Sequence, residues 1–341
     1  MRVKIEDVCD KATSNLKQSD VMNKKGLFPV FGAAGYLGKI DTFHQSKPYV
    51  AIVKDGAGIG RTMLLPAKSS VIGTMQYLLP KDNILPAYLY YVIKARHLEK
   101  YFSGATIPHI YFKDYKNEQF DLVNFEKQKQ IVHKLKVIEK IMTNLNDELK
   151  LFDELIKARF VEVFGDPIKN DKSWKQVKLM DLGLLARGIS KHRPRNAVEL
   201  LGGPYPLVQT GEVANADTYI TSYLSTYSEL GLKQSKMWPK GTLCITIAAN
   251  IAQTSILTFD ACFPDSVVGF IAGERVETVF VHYWFSFLQS SLEALATQVA
   301  QKNLNLKTLS NVEVIVPPIQ LQSEFVNFTK QVDKSKFINR R

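Results

Sequence analysis

The sequence predicts an α+β fold in which two similar α/β domains are separated by long helices. Three observations lead to this prediction. Short segments of the first half recur in the second half, strand-like and helix-like segments alternate in both halves, and a heptad pattern of apolar residues lies between the halves. At 341 residues, the chain is long enough for two domains of ordinary size.

The duplication is clearest at the end of each half, where residues 110–134 align with residues 304–328 without a gap. Four identical residues recur in this stretch: Lys113, Asn117, Gln128 and Val132 return as Lys307, Asn311, Gln322 and Val326. Near the start of each half, residues 3–8 resemble residues 177–182. The spacing between matched residues grows along the chain, which indicates true duplication with an insertion early in the second copy.

Each copy combines strands with helices. Residues 49–53 and much of 242–259 are rich in Val, Ile, Thr and Tyr, which is typical of strands, whereas 87–102 and 279–297 are predicted to be helical. Between the copies, apolar residues follow a four–three spacing at Ile131, Leu135, Ile138, Met142, Leu145, Leu149, Phe152 and Ile156. This spacing predicts a long helix with a coiled-coil seam, ended by Gly165-Asp166-Pro167. A second helix, about half as long, is expected after Pro317-Pro318.

The composition favours a polyanionic partner over a membrane. Lys and Arg outnumber Asp and Glu by 44 to 33, which gives a net charge of +11. Cys9, Cys244 and Cys262 are too scattered for a disulfide framework or a zinc site, and we expect them to be buried in a protein of the reducing cytoplasm. The N-terminus lacks an apolar signal core, and no stretch has the composition of a membrane span.

A glycine-rich segment, Gly56-Ala57-Gly58-Ile59-Gly60, follows the strand at residues 49–53. Such a loop binds a nucleotide or S-adenosylmethionine when a helix follows it. Here residues 61–66 resemble a second strand, and the equivalent segment of the second copy, residues 248–252, has no glycine. We therefore predict a hairpin loop that lets the backbone approach DNA closely.

Basic and amide side chains supply the candidate DNA contacts. The segment 187–195 packs four Lys or Arg residues and one His into a Gly- and Pro-containing loop, which suits a phosphate clamp or a merely solvated loop equally well. Arg, Gln and Asn have the geometry to read guanine and adenine edges. The candidate DNA-binding residues are Lys54, Arg61, Thr62, His109, Arg187, Lys191, Arg193, Arg195, Gln253, Thr254, Lys302 and Asn303. No metal-site or nuclease signature is visible, nor the Asn-Pro-Pro-aromatic or Asp-Pro-Pro-aromatic tetrapeptide of amino-methyltransferases.

In organisation the chain resembles the specificity subunit of type I restriction–modification systems. The resemblance spans nearly the whole chain and rests on the duplication, on Pro317-Pro318 followed by Gln322, and on residues 151–155 leading to Phe164-Gly165-Asp166-Pro167. It implies target recognition domains at 1–122 and 165–316, and conserved helices at 123–164 and 317–341 that pair as an antiparallel coiled coil. It also implies a non-catalytic protein without cofactor or metal, which binds double-stranded DNA, two methyltransferase subunits and restriction/translocase subunits.

Two other interpretations remain open at this point. One is an S-adenosylmethionine-dependent DNA methyltransferase, or another nucleotide-binding enzyme, that uses the Gly56–Gly60 loop. The other is a coiled-coil scaffold without a nucleic-acid role, which the basic charge and the duplicated domains disfavour.

Overall fold

A computed structural model describes residues 1–22, 24–104, 108–192, 194–248, 251–298 and 304–339. The chain divides into two compact units, Met1–Asn144 and Leu145–Arg341. Each unit combines antiparallel sheet with helices, so the predicted α+β class with two similar domains is confirmed.

The first unit contains strands and helices in the following order: β1 (Arg2–Lys4), α1 (Ile5–Val8), β2 (Cys9–Thr13), β3 (Phe28–Gly32), β4 (Gly35–Ile40), β5 (Tyr49–Val53), β6 (Thr62–Leu65), β7 (Ser70–Val71), β8 (Met75–Pro80), α2 (Pro86–Lys94), α3 (Phe112–Tyr115), β9 (Gln119–Asp121) and the first part of α4 (Phe125–Phe164). The central sheet has the order β2-β8-β5-β6, and β1 pairs with β9 beside the start of α4.

The second unit begins with the end of α4 and continues with β10 (Gln176–Lys178), β11 (Gly183–Arg187), β12 (Leu201–Leu207), α5 (Thr210–Asn215), β13 (Tyr219–Ile220), β14 (Ser225–Tyr227), α6 (Glu229–Lys233), β15 (Met237–Trp238), β16 (Leu243–Thr246), β17 (Thr254–Leu257), β18 (Ala261–Cys262), β19 (Val267–Ala272), α7 (Thr278–Gln298), α8 (Leu306–Ser310), β20 (Glu313–Ile315) and α9 (Ile319–Asn339). Its central sheet has the order β11-β19-β16-β17-β13.

The two sheets share strand order and register. Cys9 faces Pro80 across β2 and β8, and the equivalent Gly183 faces Ala272 across β11 and β19. The outer pairs β1–β9 and β10–β20 are also equivalent, and each precedes a long helix. The duplication predicted from the sequence is therefore present as duplicated topology. Between β11 and β16 the second unit has β12 to β15 with α5 and α6, where the first unit has β3 and β4 between β2 and β5. This longer segment accounts for the predicted insertion early in the second copy.

The largest buried cluster of each unit lies between its central sheet and the helices that flank the sheet in the chain. In the first unit, Val50, Ile52 and Leu78 pack against Leu89 and Ile93 of α2. In the second unit, aromatic rings dominate instead: Phe160 and Phe164 of α4 lie within 5.5 Å of Phe280 of α7 and Phe325 of α9, measured between ring centroids. All three cysteines are free and buried, as predicted.

Helix boundaries follow the predicted breakers, with one exception. Helix α4 ends at Phe164 because Gly165 adopts a left-handed conformation with φ of 77°, and α9 begins directly after the proline pair. The helix predicted at 87–102 is wrong in length. It stops at Lys94 because His97 takes a left-handed conformation, and residues 98–101 form a separate short 3-10 turn.

Within the second unit, α9 packs antiparallel to the end of α4. Lys336 Nζ lies 2.5 Å from Asp153 Oδ1, and Arg159 stacks over the Phe328 ring at 5.8 Å. Phe325 contacts Phe164. Residue numbers on α9 therefore fall as those on α4 rise. At 21 residues against 40, α9 is about half as long as α4, as predicted.

Candidate nucleic-acid interface

The hairpin loops β5–β6 and β16–β17 are built on the same backbone hydrogen bonds. The equivalent bonds, 2.8–2.9 Å long, join Val53 N to Arg61 O and Gly60 N to Val53 O in the first unit, and Thr246 N to Gln253 O and Ala252 N to Thr246 O in the second. The turn requires a left-handed residue, which is Gly60 at φ 81° and Ala252 at φ 60°. Arg61 and Gln253 therefore occupy structurally equivalent positions, as the repeat predicted.

A second pair of bonds anchors the base of each loop. Lys54 donates its N–H to Thr74 O and accepts from Ile110 N, at 3.0 and 2.9 Å. In the second unit, the N–H of Ile247 donates to Ser266 O at 3.0 Å, and the carbonyl of Ile247 accepts from Leu304 N at 3.1 Å. The backbone is thus conserved between the units while the side chains differ: a cation in the first unit stands where the second has an apolar residue.

Asp55 links two of the predicted residues in the first unit. Its Oδ2 lies 2.7 Å from Lys54 Nζ, and its Oδ1 lies 2.7 Å from His109 Nδ1. Burial raises the pKa of Asp55, but the hydrogen bonds from Lys54 and His109 outweigh burial and hold that pKa below its ordinary value. Asp55 is therefore ionised at neutral pH and fixes both partners.

Arg61 and Thr62 follow the same loop. The Arg61 side chain is exposed, and its Nη1 donates to the carbonyl of Ala33 at 2.8 Å, while Thr62 Oγ1 donates to Gly60 O at 3.0 Å. The loop borders an open pocket of about 360 Å³ that is also lined by Lys94 and Glu99. The four predicted residues of the first unit thus all border the segment Gly56–Gly60.

The second-unit loop is less polar. Gln253 is half-buried, and its N–H donates to Thr246 Oγ1 at 3.1 Å. Thr254 points its hydroxyl at buried His282, with 3.0 Å between Oγ1 and Nδ1. This hydrogen bond therefore joins β17 to α7.

The predicted basic loop converges partly on Asp265. Arg187 donates from Nε and Nη2 to the Asp265 carbonyl at 2.9 and 2.6 Å, and Arg195 Nη2 lies 2.5 Å from Asp265 Oδ1. Lys191 is held by its backbone, whose N–H donates to Gln234 Oε1 at 2.7 Å. The side chains of Arg187, Lys191 and Arg195 are exposed, so these three residues present a basic patch.

Three of the candidate residues, Arg193, Lys302 and Asn303, lie outside the described residues, as does Asn250 of the second loop. The sequence reasoning missed the acidic residues Asp55 and Asp265 because it searched for cations and amides alone. Lys94, which lines the loop pocket, was also missed. Its only sequence signal is its place at the end of a helix after the loop.

The glycine-rich loop does not lead into a helix. It runs directly into β6, so no helix N-terminus follows it to bind a phosphate, and the predicted hairpin is confirmed. In the described ranges, no group of three or more His, Cys, Asp or Glu side chains is arranged to hold a metal ion. Nor does any helix there combine the length and apolar character that a bilayer span requires.

Comparison with known proteins identifies the family. A family model described as the type I restriction modification DNA specificity domain matches residues 1–151 and 171–341. The chain therefore belongs to this family, and the predicted resemblance is confirmed. The family is defined by DNA specificity, which favours the DNA-recognition interpretation over the methyltransferase and scaffold interpretations.

Two relatives come from Methanocaldococcus jannaschii. A protein named as the type I restriction enzyme MjaX specificity subunit is 22% identical over 279 residues, which cover 76% of this chain and 64% of that protein. The type I restriction enzyme MjaVIII specificity subunit is 21% identical over 323 residues, covering 86% and 74%. The match thus spans somewhat less than two thirds of the length of the first relative.

Solved structures show the same fold. The S subunit of a type I restriction-modification system from M. genitalium matches with a TM-score of 0.64 at 15% identity, covering all of this chain and 91% of that one. A structure described as showing complex assembly and conformational transition of the type I R-M system matches with a TM-score of 0.56 at 16% identity, covering 100% and 92%.

Proposed function

We propose that the chain is the DNA-recognition subunit of a type I restriction–modification complex, and that its two units read different halves of a bipartite DNA site. The observation that carries the proposal is that the hairpin loops of the two units share the same backbone hydrogen bonds but carry different side chains. Lys54, Asp55 and Arg61 stand in the first unit where Ile247, Ala248 and Gln253 stand in the second. Because side chains select bases, one frame with two sets of side chains suits two different half-sites.

The basic patch supports binding to the DNA backbone. Arg187 and Arg195 are oriented by Asp265 yet remain exposed, and the net charge of +11 attracts a polyanion. We assign recognition to residues 1–122 and 165–316, with helices at 123–164 and 317–341 as spacer. The chain itself is not catalytic.

Helix α4 supports the docking of other subunits. Five apolar side chains on its first part are exposed by 43–58%: Phe125, Val137, Ile138, Ile141 and Met142. Three more lie further along the helix, Leu151, Leu155 and Val161, which are exposed by 61, 47 and 41%. Exposed apolar rows of this kind mark protein–protein contacts. We propose that two methyltransferase subunits dock on the paired helices and that restriction/translocase subunits complete the complex.

The proposal is tested by binding of the purified chain to duplex DNA at increasing salt. We expect affinity to fall steeply with salt, because each neutralised phosphate releases counterions, and no methyl transfer by the chain alone. Arg187→Gln and Arg195→Gln should each reduce the salt slope by roughly 1. Lys178→Gln, an exposed cation on the β10–β20 pair, is the matched control and should leave the slope unchanged.

The same preparation also distinguishes the proposed function from that of an S-adenosylmethionine-dependent methyltransferase. Titration with radiolabelled S-adenosylmethionine should show no binding to the chain. Stoichiometric binding, or methylation of DNA by a preparation free of partner subunits, would contradict the proposal. Salt-insensitive DNA binding would contradict it as well.

A further inference from the structure

His109 is held by both its backbone and its side chain. Its backbone pairs with Ser103 on one side, with N–O distances of 2.7 and 2.8 Å, and forms a bridge to Asp55 on the other. The imidazole lies nearly parallel to the Tyr111 ring, at 19° and 6.3 Å between centroids. With 36% of its side chain exposed, His109 is a fixed ring that reaches solvent at the rim of the Gly56–Gly60 loop.

The contacts of Asp55 determine which nitrogen of His109 carries the proton. Lys54 occupies Oδ2 and balances the carboxylate charge, while Oδ1 faces His109 Nδ1 at 2.7 Å. A carboxylate only accepts hydrogen bonds, so Nδ1 must donate. In the neutral ring, Nε2 is then left with a lone pair. Within the described part of the chain, Nε2 has no hydrogen-bond partner.

We propose that Asp55 is a positioning residue for base recognition, and that His109 Nε2 accepts a hydrogen bond from an exocyclic amino group in the major groove. This inference rests on the proposed function and names one contact of the first half-site. Amino donors in that groove are the N6 group of adenine and the N4 group of cytosine. The second unit has Ile247 and Ala248 in place of Lys54 and Asp55, so it has no carboxylate at this position to orient a histidine.

An isosteric change at Asp55 should reverse the hydrogen-bonding sense of His109. In Asp55→Asn, the Lys54 ammonium can only donate, so it binds the amide oxygen and the amide NH2 turns toward His109 Nδ1. Nδ1 then accepts, the proton moves to Nε2, and Nε2 becomes a donor. The preferred base should change from adenine or cytosine to guanine or thymine at one position of the first half-site, with a roughly tenfold change in discrimination there.

The measurement is selection from a duplex library randomised across the recognised site, using the full chain with its partner methyltransferase subunits. The selection with the wild-type chain shows whether the base that contacts His109 is adenine or cytosine. Nitrogen NMR of histidine-labelled chain reports the His109 tautomer directly, and it should change in Asp55→Asn. Asp82→Asn, an exposed carboxylate change in the same unit, is the matched control and should alter neither readout.

His109→Gln is the second variant and is read in the same selection. It should relax discrimination at the same base position, even if Asp55→Asn fails to fold. An unchanged base preference in His109→Gln, or an unchanged preference in a folded Asp55→Asn chain with the altered tautomer, would overturn the inference alone. A wild-type complex that selects no sequence would overturn the proposed function, and this inference with it. Altered selection in the second half-site would also contradict the assignment.

Discussion

Gln128 Oε1 accepts a hydrogen bond from the backbone N–H of Leu85 at 2.8 Å, and its Nε2 donates to the carbonyls of Asn83 and Val123. The amide is completely buried. It therefore joins the loop before α2 to the start of α4. In the second unit, Gln322 repeats the arrangement with the equivalent partners, which are Glu277 N at 2.9 Å, Arg275 O at 3.1 Å and Pro317 O at 2.8 Å.

Removal of either amide should destabilise its own unit. Gln128→Ala or Gln322→Ala leaves one N–H and two carbonyls without partners, which should lower the free energy of unfolding by about 2–4 kcal/mol. All three tryptophans, Trp174, Trp238 and Trp284, lie in the second unit and report on it selectively. Urea unfolding followed by tryptophan fluorescence should therefore show the loss for Gln322→Ala.

Gln128→Ala should instead appear as faster amide exchange in the first unit, with the tryptophan transition unchanged. The matched controls are Gln130→Ala and Gln320→Ala, because both residues are exposed on the same helices. If either buried variant unfolds like its exposed control, the amide does not hold the junction.

The stability of the second unit should depend on pH through His282. Burial, together with the nearby charge of Lys336, lowers the pKa of His282 from its ordinary value of 6.5 to about 4. Between those values the unfolded chain binds a proton that the folded chain does not, so the free energy of unfolding falls as the pH falls from 6.5 toward 4. The loss should approach about 3 kcal/mol.

The measurement is tryptophan-detected unfolding between pH 7 and pH 4. In His282→Gln, which keeps a polar group beside Thr254, this pH-dependent part should disappear. Exposed His97→Gln is the matched control and should retain it. A pH dependence that is equal in both variants would show that other groups cause the acid sensitivity.

Helix α4 should set the spacing between half-sites in the DNA. Four residues inserted near Asn144 add about one turn and about 6 Å of helix. At about 3.4 Å per base pair, the spacer between the half-sites should grow by one or two base pairs, with the half-sites unchanged. The measurement is the methylated motif of the insertion variant in complex with its methyltransferase. An unchanged spacer in an active complex would contradict the role of α4.

Much of the architecture could be predicted from sequence patterns. The matched residues 110–134 and 304–328 correspond to equivalent junctions, because a buried glutamine at the same place in both copies needs the same backbone partners. The end of α4 could be predicted because Gly165 alone suits the left-handed position that ends the helix. The break before His97 could not, because it depends on a left-handed conformation that histidine seldom adopts.

The candidate site was less accessible to sequence reasoning. Cations and amides were found by their residue types, but their orientation depends on Asp55 and Asp265, which are distant in sequence from His109 and Arg195. For Thr254, residue type and position in the sequence predicted a DNA contact, whereas tertiary packing directs its hydroxyl toward buried His282.

The most direct test of the account is exchange of the second recognition module. Residues 174–316 are replaced with the equivalent segment of a relative, and the methylated motif is mapped in cells that carry the chimera and its partner methyltransferase. Because the first-unit loop is untouched, one half of the recognised sequence should change to that of the relative while the other half and the spacer stay the same. A change in both halves, or in neither half of an active complex, would contradict the central claim that each unit reads its own half-site.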